Sequence, residues 1–315
     1  MFSNKNPSMA DRASNEAGFF TRRRFLGTGS LGAAVALAGT AGLLSAQKAS
    51  AEPDQDIDPE ILNFALNLEY LEAEYYLRAA TGTGIAAHGV GVTGVGTLGS
   101  VTIKNDPKVP FDNGPIFENP SGVFIKGIAM EIATNELAHV SFLRSALGDY
   151  AVAEPAINLK ESFDTLAKAA GLGDTFNPFG DAVDFLIGAF IFEDVGVTAY
   201  NGAAPLITSS AYLAAAASIL AVEAYHAGVI RALLYELGTK TQDAADKISA
   251  LRNTLSNSGT TDQGILLDGK VNLIPADSNA LAFSRTTRSV LNIVYGGVNA
   301  TEGLFFPDGM NGTIH

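Results

Sequence analysis

Four long segments of this chain keep helical periodicity, and each sets a glutamate where an apolar residue belongs. In the first, Pro59 to Ala80, one stripe runs Leu62, Ala65, Leu66, Glu69, Ala73 and Tyr76. The second, Gly122 to Leu147, reads Ile125, Ala129, Ile132, Glu136, His139 and Leu143. The third, Asp181 to Asn201, carries Leu186, Ala189, Glu193, Val197 and Tyr200, and the fourth, Ser210 to Leu237, carries Ile219, Glu223, His226, Ile230 and Leu234. Asp58-Pro59, Gly180-Asp181 and Ser209-Ser210 punctuate helix starts, and Gly148 and Gly238 fall just past helix ends. Helices longer than the ordinary globular length predict an all-α four-helix bundle.

A carboxylate buried without a partner is costly enough to protonate or to unfold its surroundings, so four on one core demand positive charge. The lysines and arginines fall off these stripes, and side chains are therefore not expected to supply it. Two divalent cations would balance Glu69, Glu136, Glu193 and Glu223. The spacing agrees. Glu136-Leu-Ala-His139 and Glu223-Ala-Tyr-His226 are both Glu-x-x-His, which puts carboxylate and imidazole on one face a turn apart. One Glu from each of two helices with Glu-x-x-His from the other two is the ligand pattern of di-iron and di-manganese carboxylate bundles. The order Glu, Glu-x-x-His, Glu, Glu-x-x-His also reads as a two-helix unit repeated, and Glu69 precedes Tyr76 by the same interval as Glu193 precedes Tyr200.

Chance explains little of this. A glutamate falls three before a given histidine about one time in twenty at this usage, yet two of the four histidines show it, both inside apolar stripes. The remaining acids read more blandly: Glu72 and Glu74 as a solvated helix edge, with Glu72 near enough to the stripe to be a further ligand, and Glu131 as surface. Tyr76 and Tyr200 are expected beside the ligands, with a redox role open. His88, in a glycine-rich connection, and His315, at the C-terminus, receive no role.

Charge divides the chain. Residues 1–51 carry Lys5, Arg12, Arg22, Arg23, Arg24 and Lys48 against Asp11 and Glu16, a net +4, so the remainder of a chain at −13 stands at −17. The basic segment, the apolar run from Phe25 to about Ala46 and Ala49-Ser50-Ala51 form an export leader with a small-residue cleavage site. Thr21-Arg22-Arg23-Arg24-Phe25-Leu26 is similar to a twin-arginine signal, and the weakly hydrophobic, Gly- and Ala-rich run behind it suits that route. A periplasmic or extracellular protein follows, loaded with metal in the cytoplasm, partnered by the twin-arginine machinery during transport and without a membrane span once cleaved. An acidic chain offers no stripe for nucleic acid. Cysteine is absent, which excludes thiolate ligands, disulfides and iron–sulfur clusters, leaving N and O donors that suit Fe or Mn. Residues 52–240 are read as the bundle, with a long Gly-rich connection between its first two helices and a β-prone stretch at Val101 to Ile103. Residues 241–315, opening on a helix from Thr241 to Leu255, are read as an extension packed on it.

Several segments resemble one family. Ile61-Leu-Asn-Phe-Ala-Leu-Asn-Leu-Glu-Tyr-Leu-Glu-Ala-Glu-Tyr-Tyr76, Val229-Ile-Arg-Ala-Leu-Leu-Tyr-Glu236, Asn272-Leu-Ile-Pro-Ala-Asp277, Val290-Leu-Asn-Ile-Val-Tyr-Gly296 and Phe305-Phe-Pro-Asp-Gly-Met-Asn-Gly312 are similar to the desiccation-related ferritin-like proteins of resurrection plants and bacteria. The resemblance spans nearly all of the chain after the leader. It implies a ferritin-like bundle and a stress or drying context, and it leaves the activity open. Three functions remain: a di-iron or di-manganese oxidoreductase of peroxidase, catalase or ferroxidase type acting on O2, peroxide or Fe(II); a non-enzymatic protector in which metals hold the bundle; and metal storage. A small oxidant or a metal ion is the expected partner, and a homo-oligomer is compatible with the sequence.

Overall fold

Helix α1 (Asp58–Thr81) begins where Pro59 pre-sets the first turn, and it ends at Gly82, whose left-handed backbone (φ 79°) lets its N–H close on the Arg78 carbonyl. The computed structural model describes residues 57–104, 120–259 and 261–315. The leader assigned to residues 1–51 lies outside the described residues, as do residues 105–119 of the Gly-rich connection. Among the described residues α1 is followed by α2 (Pro120–Leu147), α3 (Glu161–Ala169), α4 (Ala182–Ala203), α5 (Ser210–Glu236), α6 (Thr239–Ser256) and α7 (Thr287–Val294). Helix α4 is capped by Asp181, which accepts from the N–H groups of Val183 and Asp184 at 2.8 and 2.9 Å, and α5 by Ser209. Asp58 accepts from the N–H groups of Thr208 and Ser209, tying the start of α1 to the start of α5.

Helices α1, α2, α4 and α5 are the four long segments expected, and they form a ferritin-like bundle in which α1 packs mainly on α2 and α4 mainly on α5. Leu66, Tyr70, Ala73 and Tyr76 of α1 share the core with Ala129, Ile132 and Val140 of α2, Phe185, Leu186 and Ala189 of α4, and Ile230 and Leu234 of α5. The β-prone stretch becomes β1 (Val101–Ile103), paired in parallel with β2 (Ile157–Leu159), which no periodicity announced. A two-residue hairpin, β3 (Leu266–Leu267) with β4 (Lys270–Val271), lies in the C-terminal region.

Buried positive charge is present, contrary to the expectation from the stripes. Arg231, Arg252 and Arg285 are each no more than 2% exposed. They serve other acids. Asp194 of α4 pairs with Arg231 (2.7 Å) and Arg252 (2.8 Å), and Asp262 pairs with Arg252 (2.8 Å) and Arg285 (2.7 Å). The helical stripe did not mark Arg231 because its guanidinium reaches out of the bundle to the Gly264 and Asn272 carbonyls beyond α6. This network joins the residues after α6 to α4 and α5. Asn311 fastens the far end to α1: its N–H donates to Asn67 Oδ1 and the Asn67 amide donates to its carbonyl at 2.8 Å. Phe305 and Phe306 are fully buried.

Removing one partner from a buried ion pair strands the others, at a cost of about 3–5 kcal/mol. Arg252→Ala, which leaves both Asp194 and Asp262 short of a partner, is expected to lower the unfolding free energy by that amount in denaturant titration. A loss below about 1 kcal/mol, the worth of a surface pair, would contradict this role.

Candidate metal centre

All six residues picked out by the stripes converge midway along the bundle. Glu69, Glu136, Glu193 and Glu223 are no more than 1% exposed, His139 is 8% and His226 4%. Helical periodicity alone brings them together, since each sits on the stripe that packs its helix. His139 Nδ1 lies 3.2 Å from Glu69 Oε2, 3.3 Å from Glu136 Oε2 and 3.4 Å from Glu223 Oε1. His226 Nδ1 lies 3.0 Å from Glu136 Oε1 and 3.5 Å from Glu193 Oε2. Two donor groups result: Glu69, Glu136, His139 and Glu223 in one, and Glu136, Glu193 and His226 in the other, with the donor atoms of each within 4.8 Å of one another. Glu136 belongs to both. Glu223 belongs to the first alone.

The donor set fits divalent ions on its own geometry. Glu136 Oε1, Glu193 Oε2, both Glu223 oxygens and His226 Nδ1 are buried without a hydrogen-bond partner among the described residues, although they crowd together. Ligands about 2.1 Å from a common ion stand roughly 3–4 Å from each other, which is the spacing found here. Carboxylate oxygens crowded together without hydrogen-bond donors of their own are costly unless positive charge lies among them.

The tyrosines stand beside the ligands as expected, in a crossed arrangement. Tyr76 of α1 donates to Glu193 Oε1 on α4, and Tyr200 of α4 donates to Glu69 Oε1 on α1. Each fixes one carboxylate oxygen and leaves the other for a ligand. Burial, reinforced by the neighbouring glutamate, pushes both phenols well above their ordinary pKa, so they remain donors.

Two acids read as solvated are buried. Glu74 (2% exposed) accepts from the Ile85 N–H and pairs with Arg78, so it closes the turn after α1. Glu72 (6% exposed) makes no hydrogen bond to another described residue, and burial together with Glu223, Glu136, Glu193 and Glu69 raises it well above the ordinary carboxylate range. It stands beside the cluster, with its neutral form favoured while no cation is bound. Glu131 is exposed, as expected, and His88 and His315 lie on the surface away from the site.

Two further residues shape the site without having been singled out. A Cβ on Gly196 would stand 2.5 Å from Glu223 Oε2 and 3.6 Å from Glu72 Oε1, so this glycine makes the room that both carboxylates occupy. A glycine inside an apolar helix, three after a ligand, was the available signal. Asn135 lies 3.1 Å from His226 Nε2. A cavity of about 40 Å³, lined by Leu68, Leu71, Phe192, Val195 and Ala199, reaches Glu69, Glu72 and Tyr200. One water needs about 10–15 Å³ on this scale, so the space admits a molecule of two or three heavy atoms.

Charge in the cluster is shared out as crowding dictates. Burial raises Glu69 to about 7, with His139 opposing, and raises Glu223 well above its usual range. For Glu136 burial is outweighed by the facing imidazoles of His139 and His226, which lower it to about 2. Burial of His226 is likewise outweighed by Glu193 and Glu136, which raise it to about 11, and His139 is raised further still by Glu69, Glu136 and Glu223. The facing acids thus favour the charged form of both imidazoles wherever no metal ion neutralises those acids.

Comparison with known proteins agrees with the geometry. Residues 57–236 match the family model described as a ferritin-like domain. The chain is 32% identical to the desiccation-related protein PCC13-62 of Craterostigma plantagineum, over 74% of this chain and 76% of that protein. It is 27% identical to the ferritin-like catalase Nec2 of Nesocodon mauritianus, over 82% of this chain and 85% of that one. No solved structure matches it.

Because the facing acids favour the charged form of both histidines in the absence of metal, an entering ion is expected to displace their protons. Their folded pKa values lie above the ordinary 6.5, so protons compete less as pH rises, and divalent metal affinity is expected to increase from about pH 6 to 8. Titration calorimetry in buffers of different ionisation enthalpy should give different heats. Buffer-independent heats would contradict proton displacement.

Proposed function

The chain belongs to the desiccation-related ferritin-like family, and from that membership we propose that it is an exported di-metal protein, holding two Fe or Mn ions, that removes hydrogen peroxide during stress. The observation that carries this reading is the convergence of Glu69, Glu136, His139, Glu193, Glu223 and His226 with five of their ligand atoms lacking hydrogen-bond partners. Export by the twin-arginine route rests on Arg22-Arg23-Arg24 and the run that follows, and it would place the protein in the periplasm or outside the cell.

A redox-active metal pair supplies storage for two electrons between one peroxide molecule and the next. The chain's own residues do the rest. The apolar cavity favours a small neutral molecule over a hydrated cation, which supports peroxide or O2 as substrate ahead of Fe(II). Disproportionation converts two H2O2 into two H2O and one O2, so protons released by the peroxide that is oxidised must reach the peroxide that is reduced. Glu72 stands at the cavity wall with no hydrogen-bond partner among the described residues, so its carboxyl can give a proton to the peroxide that is reduced and regain one from the peroxide that is oxidised. Tyr76 and Tyr200 hold Glu193 and Glu69 in place, so these carboxylates would be kept oriented towards a bound metal pair. The catalase activity in the name of one relative supports this assignment.

A second reading, a non-enzymatic protector whose metals only brace the helices, draws on the desiccation-related relative. Purified protein loaded in its host is expected to contain about two Fe or Mn per chain and to consume H2O2. Glu193→Ala should slow that loss by more than the roughly 10–100-fold typical of losing an outer partner. Metal present with equal rates for wild type and variant would favour the protector, and metal-free protein would overturn both metal readings.

A further inference from the structure

The two halves of the bundle repeat each other in Glu69 and Glu193, in the two Glu-x-x-His pairs, and in Tyr76 and Tyr200, but the repeat breaks at one polar contact. Both imidazoles turn Nδ1 towards the carboxylates. A ring that ligates through Nδ1 keeps its proton on Nε2, and the group accepting that proton fixes the ring's rotation and raises its basicity. For His226 that group is the Asn135 amide of α2, which reaches across to Nε2 at 3.1 Å. For His139 there is none among the described residues. The residue in the register of Asn135, immediately before Glu223, is Val222, which has no polar side-chain atom.

The donor count breaks in the matching place. Three carboxylates accompany His139, but only two accompany His226. The position poorer in carboxylate is the one whose imidazole is held from behind.

We infer that Asn135 is a positioning residue for the His226 metal position alone, and that the centre consists of two unlike positions. One is held chiefly by carboxylate charge around His139, the other by fewer carboxylates and an oriented imidazole. This deepens the metal reading above and rests on it. The amide nitrogen lies nearest the ring here, and a half-turn of the amide presents Oδ1 to the Nε2–H of a ring bound through Nδ1. Aspartate offers the same acceptor, whereas leucine matches the volume and offers nothing.

The test uses the full chain stripped of metal and titrated with Mn(II), the free ion being followed by electron paramagnetic resonance. Wild type is expected to take two equivalents. Asn135→Leu should weaken one equivalent by about 10–100-fold and leave the other in place, Asn135→Asp should restore both, and metal-free melting temperatures of all three should agree. Two equivalents of unchanged affinity in Asn135→Leu would overturn the assignment, as would equal weakening of both or no recovery in Asn135→Asp. A lower melting temperature for metal-free Asn135→Leu alone would make the residue structural and overturn it too. A wild-type chain that binds no Mn(II) would instead overturn the metal reading itself.

Discussion

Five glutamates and two histidines share the middle of a helical bundle, and the repulsion among those carboxylates is the constraint to which the other features answer. Helical periodicity puts Glu69, Glu136, Glu193 and Glu223 at the core with no more freedom than the leucines and alanines around them. Desolvation forces a choice between protonation and a counter-ion. The details of the site follow from that choice. The phenols of Tyr76 and Tyr200 each occupy one carboxylate oxygen from the opposite helix, Gly196 clears space for Glu223, and the imidazoles present Nδ1 to the acids. A closed hydrogen-bonded network would have filled every lone pair. Here the phenols hold one oxygen each of Glu193 and Glu69, while Glu136 Oε1, Glu193 Oε2 and both Glu223 oxygens lack a hydrogen-bond partner among the described residues, an arrangement that suits a cation site.

A second buried electrostatic system solves the same problem by other means. Arg231, Arg252 and Arg285 meet Asp194 and Asp262 directly, with backbone carbonyls taking the spare donors. Asp194 is adjacent in sequence to Glu193, yet the two acids belong to different systems because they leave α4 on different faces. One face points to the bundle axis and the other to the extension after α6. The extension is thereby tied to the helix that carries a candidate ligand.

Most of the bundle and all six candidate ligands could be read from the sequence, because a 3.6-residue stripe interrupted by acid is a one-dimensional signal. Tyr76 and Tyr200 were legible from their shared spacing. Arg231 was not: it shares a helix with Glu223 and His226 but turns to carbonyls that lie about 40 residues away along the chain. Glu72 and Glu74 were read as surface because an acid at a helix edge usually is, and their burial depends on α4 and on the turn after Thr81. Asn135 carried no signal, since its partner is on another helix. Helix α3 and strand β2 are too short for periodicity to register, and the parallel pairing of β1 with β2 is a contact between segments more than 50 residues apart.

We propose that the two donor groups around Glu136 each hold a redox metal ion. Anomalous X-ray diffraction from crystals of the protein as purified, collected on both sides of the iron and manganese absorption edges, tests it most directly. Two peaks roughly 3.5–4 Å apart are expected, one beside His139 and one beside His226, both at the same edge. A single peak, a peak away from these residues, or none at either edge would contradict it.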